Sequence, residues 1–166
     1  MGLFPTRILF ATDGSQEAEL AALKAVDLAQ STDSELHVVH VGVVPLFLLS
    51  DPGTLGYDGK LYDEIEEESG ELLRKLSWQV KAAGGTVAGT HLRMGEVDLE
   101  IVALAKELGA DLIVMGCRGH RGIRRAIEGS ISDAVIRHAP CPVLVVRSHE
   151  RVEASERSAL WQEGDR

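Results

Sequence analysis

Cysteine is scarce in this chain. Only Cys117 and Cys141 are present, and they form no CxxC pair. That excludes a disulfide framework and agrees with a reducing compartment. Positive charge is also in deficit: 17 Lys and Arg stand against 26 Asp and Glu, a net charge of −9. A general DNA or RNA binder needs a basic face to meet the phosphate backbone, so nucleic acid is not expected as a partner. The same charge argues against an anionic membrane surface. No apolar run reaches the roughly 18 residues that a membrane span needs. The longest candidate, residues 41–49, is interrupted by Gly42 and Pro45. Residues 1–7 lack a basic start followed by an apolar stretch, so no signal peptide and a cytoplasmic location are expected.

Several familiar catalytic signatures are missing. There is no Gly-Lys-Ser/Thr of a Walker A loop, no GxGxxG, no GxSxG and no HExxH. Six histidines are present without metal-ligand spacing. His37 and His40 lie three apart on a predicted strand and so point to opposite faces. His91, His120, His138 and His149 are scattered.

What remains is globular composition, 45% hydrophobic and 26% charged over 166 residues. That fits one domain, large enough to bury a core without disulfides or a structural metal. Arg7-Ile8-Leu9-Phe10-Ala11 reads as a strand covered on both faces. Thr12-Asp13-Gly14-Ser15 reads as a turn into a helix N-cap. A helix over residues 16–30 follows, with Ala18, Ala21, Ala25 and Leu28 close to one face. Residues 36–41 read as a second strand.

Residues 42–60 are irregular, with Pro45, Pro52, Gly53, Gly56 and Gly59; a loop this long is expected to be functional or mobile. A long helix is predicted over residues 61–83, with Leu72, Leu76 and Val80 at helical spacing. Its acidic first half (Asp63, Glu64, Glu66, Glu67, Glu68, Glu71) suits a solvated face and a helix N-terminus rather than a metal site.

A third strand is predicted over residues 86–93. A helix marked by Val97, Ile101, Leu104 and Leu108 follows, stopped by Gly109. Leu112-Ile113-Val114-Met115 is a fourth strand ending at Gly116. After a Gly- and Arg-rich loop, a short helix runs over residues 130–138, and Pro142-Val143-Leu144-Val145-Val146 is the fifth strand. The tail, residues 148–166, is polar and is expected to be partly disordered. Short apolar strands alternating with amphipathic helices imply a parallel sheet with helices on both faces. In such sheets ligands bind beyond the carboxyl ends of strands, where the strand order reverses.

Two strand ends carry unusual chemistry: the Thr12–Ser15 turn and the loop from Gly116 onward. The loop has the spacing Gly116-x2-Gly119-x9-Gly129-Ser130 between a strand and a helix. Glycines let an anion approach backbone N–H groups at a helix N-terminus. Over residues 116–128 four arginines (Arg118, Arg121, Arg124, Arg125) face Glu128, a local charge of +3 that leaves −12 on the rest. A basic loop on an acidic protein suits a small anionic ligand better than a polynucleotide. Spacing alone leaves two readings open. The loop binds phosphate, or its glycines serve only the turn and Ser130, with Asp133 three residues on, caps the helix.

The ordered set of pieces resembles the universal stress protein family. They are Ile8-Leu9-Phe10-Ala11-Thr12-Asp13-Gly14-Ser15, Leu36-His37-Val38-Val39-His40-Val41, Ala110-Asp111-Leu112-Ile113-Val114-Met115-Gly116, the glycine loop, and the stretch from His138-Ala139-Pro140-Cys141 through the last strand. The resemblance covers about residues 5–147 and implies a domain over residues 1–147 followed by the tail. It further implies a three-layer α/β/α sandwich with a five-stranded parallel sheet in the order 3-2-1-4-5. One branch of the family binds ATP through this glycine motif, which is complete here.

By resemblance, Gly116, Gly119, Gly129 and Ser130 surround the phosphates and ribose, with Arg118 in the same basic loop. Met115 and Ile131 flank them. Ala11, Thr12 and Asp13 lie near the nucleoside, Asp13 toward the sugar or base, and the Val41 backbone meets the adenine. The expected ligand is ATP, with AMP and cyclic AMP as alternatives, and Mg²⁺ on the phosphates. Little turnover is expected, because no general base or lysine clamp is evident. A slow ATPase and a nucleotide-independent dimeric module are the competing classes. A homodimer through the last strand is implied as well, since an apolar edge invites pairing. Cys117 stands where many relatives carry a small hydroxyl residue.

Overall fold

The computed structural model describes residues 5–45, 60–117 and 131–147. Among the described residues nine elements alternate: β1 (Arg7–Ala11), α1 (Gln16–Thr32), β2 (Glu35–Gly42), α2 (Lys60–Ala82), β3 (Val87–Met94), α3 (Val97–Leu108), β4 (Leu112–Gly116), α4 (Ile131–His138) and β5 (Val143–Val146). The strands form one sheet in the order β3-β2-β1-β4-β5, every pair parallel. This is the order the resemblance implied.

Two apolar clusters sandwich the sheet. Ile8, Phe10, Leu36, Val38 and Val114 meet Ala21, Ala25 and Val26 of α1 and Leu73 and Val80 of α2. On the other face Leu9, Ala11, Val39, Val41, Ile113 and Met115 meet Ile101, Leu104 and Ala105 of α3 and Val135 of α4. Alternation along β1 and β2 sends successive side chains to opposite clusters.

Several boundaries differ from expectation. Helix α1 runs two residues further, because Thr32 is held by its hydroxyl, which donates to the Leu28 carbonyl at 2.7 Å. It ends on Asp33 in the left-handed region, φ 53°. In α2 the inward residues are Leu73, Leu76 and Val80, and Leu72 is only half-buried. The acidic side chains of its first half are exposed, as a solvated face requires. Strand β5 starts at Val143. Pro142 has no N–H for the ladder, yet its carbonyl accepts from Ile113 N at 3.0 Å. Helix α4 is described from Ile131 to His138; Ser130, where the predicted helix begins, lies outside the described residues, as do the tail and residues 46–59.

Candidate functional site

Strand β1 is central and pairs with β2 on one side and β4 on the other. Chain order reverses between β1 and β4, so the carboxyl ends of β2, β1 and β4 meet at the topological switch point. Ala11, the last residue of β1, lies opposite Val39 of β2 and Met115 of β4. Ala11, Val41 and Met115 belong to one cluster, against which Ile131 packs. Four residues proposed from sequence to surround one ligand are thus brought together at one edge.

The turn beyond β1 is tied down residue by residue. Thr12 N donates to Val39 O at 3.0 Å. Gly14 N donates to Thr12 Oγ1 at 3.2 Å, and Ser15 N to Asp13 Oδ1 at 3.0 Å. Ser15 caps α1, its hydroxyl accepting from Ala18 N at 3.2 Å. Gly14 has φ 77°, a conformation that a side chain would strain. The Asx turn sets the place of the Asp13 carboxylate at the strand's exit.

Strand β2 outlasts β1. Val39 O points toward β1, where it accepts from Thr12 N. Backbone groups two residues apart along a strand point to the same side, so Val41 presents its N–H and C=O in that direction too. There β1 has already turned away into residues 12–15. A planar ligand with its own donor and acceptor would meet a strand-like edge at Val41.

Gly116 has a packing role that spacing did not suggest. A Cβ placed there would stand 3.0 Å from Ala18 N and 3.0 Å from the carbonyl carbon of Glu17. The absent side chain lets the first turn of α1 come down onto the end of β4. The next residue is also anchored. Cys117 N donates to Val146 O at 2.8 Å, and Ser132 Oγ donates to Cys117 O at 3.2 Å. The start of α4 is therefore held beside the exit of β4. The residues flanking the glycine loop converge; Arg118, Gly119, Gly129 and Ser130 themselves lie outside the described residues.

Sequence reasoning missed two contributors. Ser132 is 4% exposed and bridges α4 to β4. His40 is 8% exposed, and its Nδ1 lies 2.9 Å from Thr12 O. The available signal was a polar residue on the inner face of an apolar strand, since buried polar groups are hydrogen-bonded. As expected, His37 points the other way, and its Nδ1 lies 3.1 Å from His91 Nε2. Burial pushes the Cys141 thiol up, the Asp111 charge adding to it, so it is a poor nucleophile at neutral pH. A cleft of about 270 Å³ between α1 and α2 includes Thr12 but is otherwise walled by side chains such as Leu23, Leu76 and Val80. Among the described residues no helix is long and apolar enough to cross a membrane.

The comparisons with known proteins agree with this fold. The model of the universal stress protein family matches residues 5–147. A Staphylococcus haemolyticus protein named as a universal stress protein is 40% identical over 148 residues, covering 86% of this chain and 85% of the relative. Among solved structures, universal stress protein UspA from Lactobacillus plantarum superposes with a TM-score of 0.72 at 27% identity, covering 88% of this chain and 100% of that one. A universal stress protein from Archaeoglobus fulgidus, solved in complex with dAMP, gives a TM-score of 0.61 at 28% identity, covering 88% and 99%.

Proposed function

The chain belongs to the universal stress protein family, and from that premise we propose that it binds ATP at the switch point and acts as a nucleotide-dependent stress-response or signalling module with little or no turnover. The carrying observation is the convergence of the Ala11–Thr12–Asp13 turn, the Val41 edge, Met115 and Ile131 around the two ends of the glycine loop. These residues fit an adenine nucleoside. Val41 offers a backbone donor and acceptor to the base, Asp13 a carboxylate to the sugar, and Met115 and Ile131 an apolar flank. The relative solved with dAMP supports the ligand class. Gly116 supports the close approach of α1 and β4. Gly119, Gly129 and Ser130 are assigned to the phosphates by their motif, with Arg118 adding positive charge and Mg²⁺ accompanying the phosphates.

Calorimetry with ATP, AMP, cyclic AMP and GTP tests this reading. ATP is expected to bind most tightly, and heat-flat titrations with every adenine nucleotide would remove the claim. Single-turnover phosphate release is expected to be slow. Gly129→Val is expected to abolish ATP binding while the protein still melts cooperatively. A single charge-assisted hydrogen bond to phosphate contributes about 1.5–3 kcal/mol, and the valine would disturb several.

The same reading includes a homodimer through β5. This strand is the sheet edge next to β4, and Leu144 on it and Ile136 on α4 are exposed at 37% and 53%. Such an apolar edge favours pairing with a second copy. Sedimentation at micromolar protein should give a dimer that Val145→Pro weakens, because proline removes a ladder donor; circular dichroism checks that the fold survives.

A further inference from the structure

We propose that His40 is a positioning residue for the nucleotide site: by holding the carbonyl of Thr12 it fixes the peptide plane from which Asp13 projects. This rests on the proposed role of Asp13 at the sugar. His40 meets Thr12 through a backbone atom. Its Nδ1 lies 2.9 Å from Thr12 O, and its side chain is buried in the sandwich, 8% exposed as a residue.

The chemistry of this pair is one-directional. A carbonyl oxygen only accepts, so His40 must carry its proton on Nδ1 and donate. Thr12 is itself 9% exposed, so few alternative partners reach its carbonyl. Removing the donor leaves a buried acceptor unsatisfied, which is costly enough for the peptide to rotate in search of water or another donor.

The consequence falls on Asp13 because its surroundings are otherwise fixed. The N–H of Thr12 is held by Val39 O, so both backbone polar groups of Thr12 are tied to consecutive residues of β2. Downstream, Asp13 Oδ1 accepts from Ser15 N, and Ser15 caps α1. Asp13 is thus suspended between a clamp on β2 and the first turn of α1. The 12–13 peptide is the hinge between these anchors, and His40 holds its oxygen. His40 also directly precedes Val41, whose backbone is proposed to meet the base. One stretch of β2 therefore carries the base edge and locks the sugar-side turn in register with it. A site held to a fraction of an ångström by such supporting groups loses affinity when one is removed, even without ligand contact.

The test begins without ligand. Long-range ¹H–¹⁵N NMR of the full chain should show His40 as the Nδ1–H tautomer, its proton slow to exchange. An Nε2–H tautomer overturns the proposal, because the Thr12 carbonyl cannot donate to a bare nitrogen. Next, ATP calorimetry compares His40→Leu, which has no donor, with His40→Asn, whose amide nitrogen can sit where Nδ1 sits. His40→Leu should weaken ATP about tenfold, the equivalent of about 1.4 kcal/mol for removal of one buried hydrogen bond. His40→Asn should recover most of that affinity. Adding His40→Leu to Asp13→Ala should cost nothing further, since both act through one carboxylate. Losses that multiply in the double variant, or a His40→Leu protein that binds ATP like the parent, overturn the positioning role. Absence of ATP binding by the parent instead overturns the nucleotide reading. The tautomer and the backbone shifts of Asp13 and Ser15 in His40→Leu then still decide whether His40 holds the turn. Should His40→Leu fail to fold, the tautomer and the Asn variant carry the test.

Discussion

The two ends of the sheet are built on opposite plans. At the amino ends, side chains are used to join strands. Asp111 Oδ2 accepts from Thr6 N at 3.0 Å, Thr6 Oγ1 at 2.7 Å and Arg7 N at 3.1 Å, while Asp111 N donates back to Arg7 O at 2.9 Å. Arg7 Nε donates to Glu35 at 2.8 Å, and its guanidinium also reaches the Leu108 carbonyl, so β1, β2, β4 and the end of α3 are stitched together. At the carboxyl ends, the turn is held by short-range bonds through Thr12, Asp13 and Ser15 and by Val39 and His40 of β2 at Thr12, and glycine replaces a side chain where α1 crowds β4. The amino end commits its polar atoms to the fold. The carboxyl end keeps strand edges and turns aimed at the space beyond the sheet, which is where a ligand can use them.

The largest expected break in this contrast is Gly116→Val. Its Cβ would press on backbone atoms of α1, which cannot swing aside as a side chain can. Overpacking of this kind costs about 1–3 kcal/mol. Chemical denaturation should read that loss, and ATP affinity should fall with it because the start of α1 carries the Thr12–Ser15 turn. Gly42→Ala makes a useful control. Its Cβ would meet the Met94 and Ser69 side chains, so a smaller loss is expected.

At the other end, Asp111→Ala removes the acceptor for three donors and should cost about 1–2 kcal/mol, given about 0.5–1.5 kcal/mol for a net hydrogen bond and the exposure of this one. ATP affinity should be unchanged. A matching loss of affinity would show that the two ends are not independent. Ser15→Ala removes the α1 cap and should cost about 1 kcal/mol by the same denaturation assay. Unlike Asp111→Ala, it should also weaken ATP modestly by loosening the Asp13 turn.

The smallest effect is a pH dependence. His91 is held below its ordinary 6.5, by burial first and then by the nearby charges of His37 and Arg93, against an opposing pull from Glu107. The unfolded chain therefore takes up this proton before the folded one. Stability is full above about pH 6.5 and is lost as pH falls from there toward the folded value. Asp111 and Glu35 are also depressed, the first by hydrogen bonds from Thr6, the second by Arg7. Their contribution is present above the ordinary carboxylate range and is lost in a second, more acidic step as pH falls through their folded values. Melting temperatures across pH should show both steps, with His91→Gln removing the upper one and Asp111→Asn reducing the lower one.

How much was legible follows from the range of each signal. The apolar runs of β1, β2 and β4 and the Ala-rich stripe of α1 are local patterns, so they marked their elements to within two residues. Leu72 and Leu73 show the limit of periodicity, since neighbours on a helix differ by 100° and only the sheet decides which one points in. Pro142 shows another limit, because a strand's first residue depends on what its neighbour offers.

By itself, the sequence determined the alternation of strands and helices, the glycine loop with its positive charge on an acidic chain, and the family those pieces belong to. Each is written in residues adjacent or regularly spaced along the chain. The tertiary structure alone decided that Gly116 makes room for α1, that Ser132 bridges α4 to β4, and that Thr12 is clamped by His40. Those facts depend on partners far apart in the chain: 28 residues separate His40 from Thr12, and 105 separate Thr6 from Asp111. No local pattern encodes them, because a hydrogen-bond partner is chosen by where the sheet brings the chain back, and that choice is made only when the strands pair.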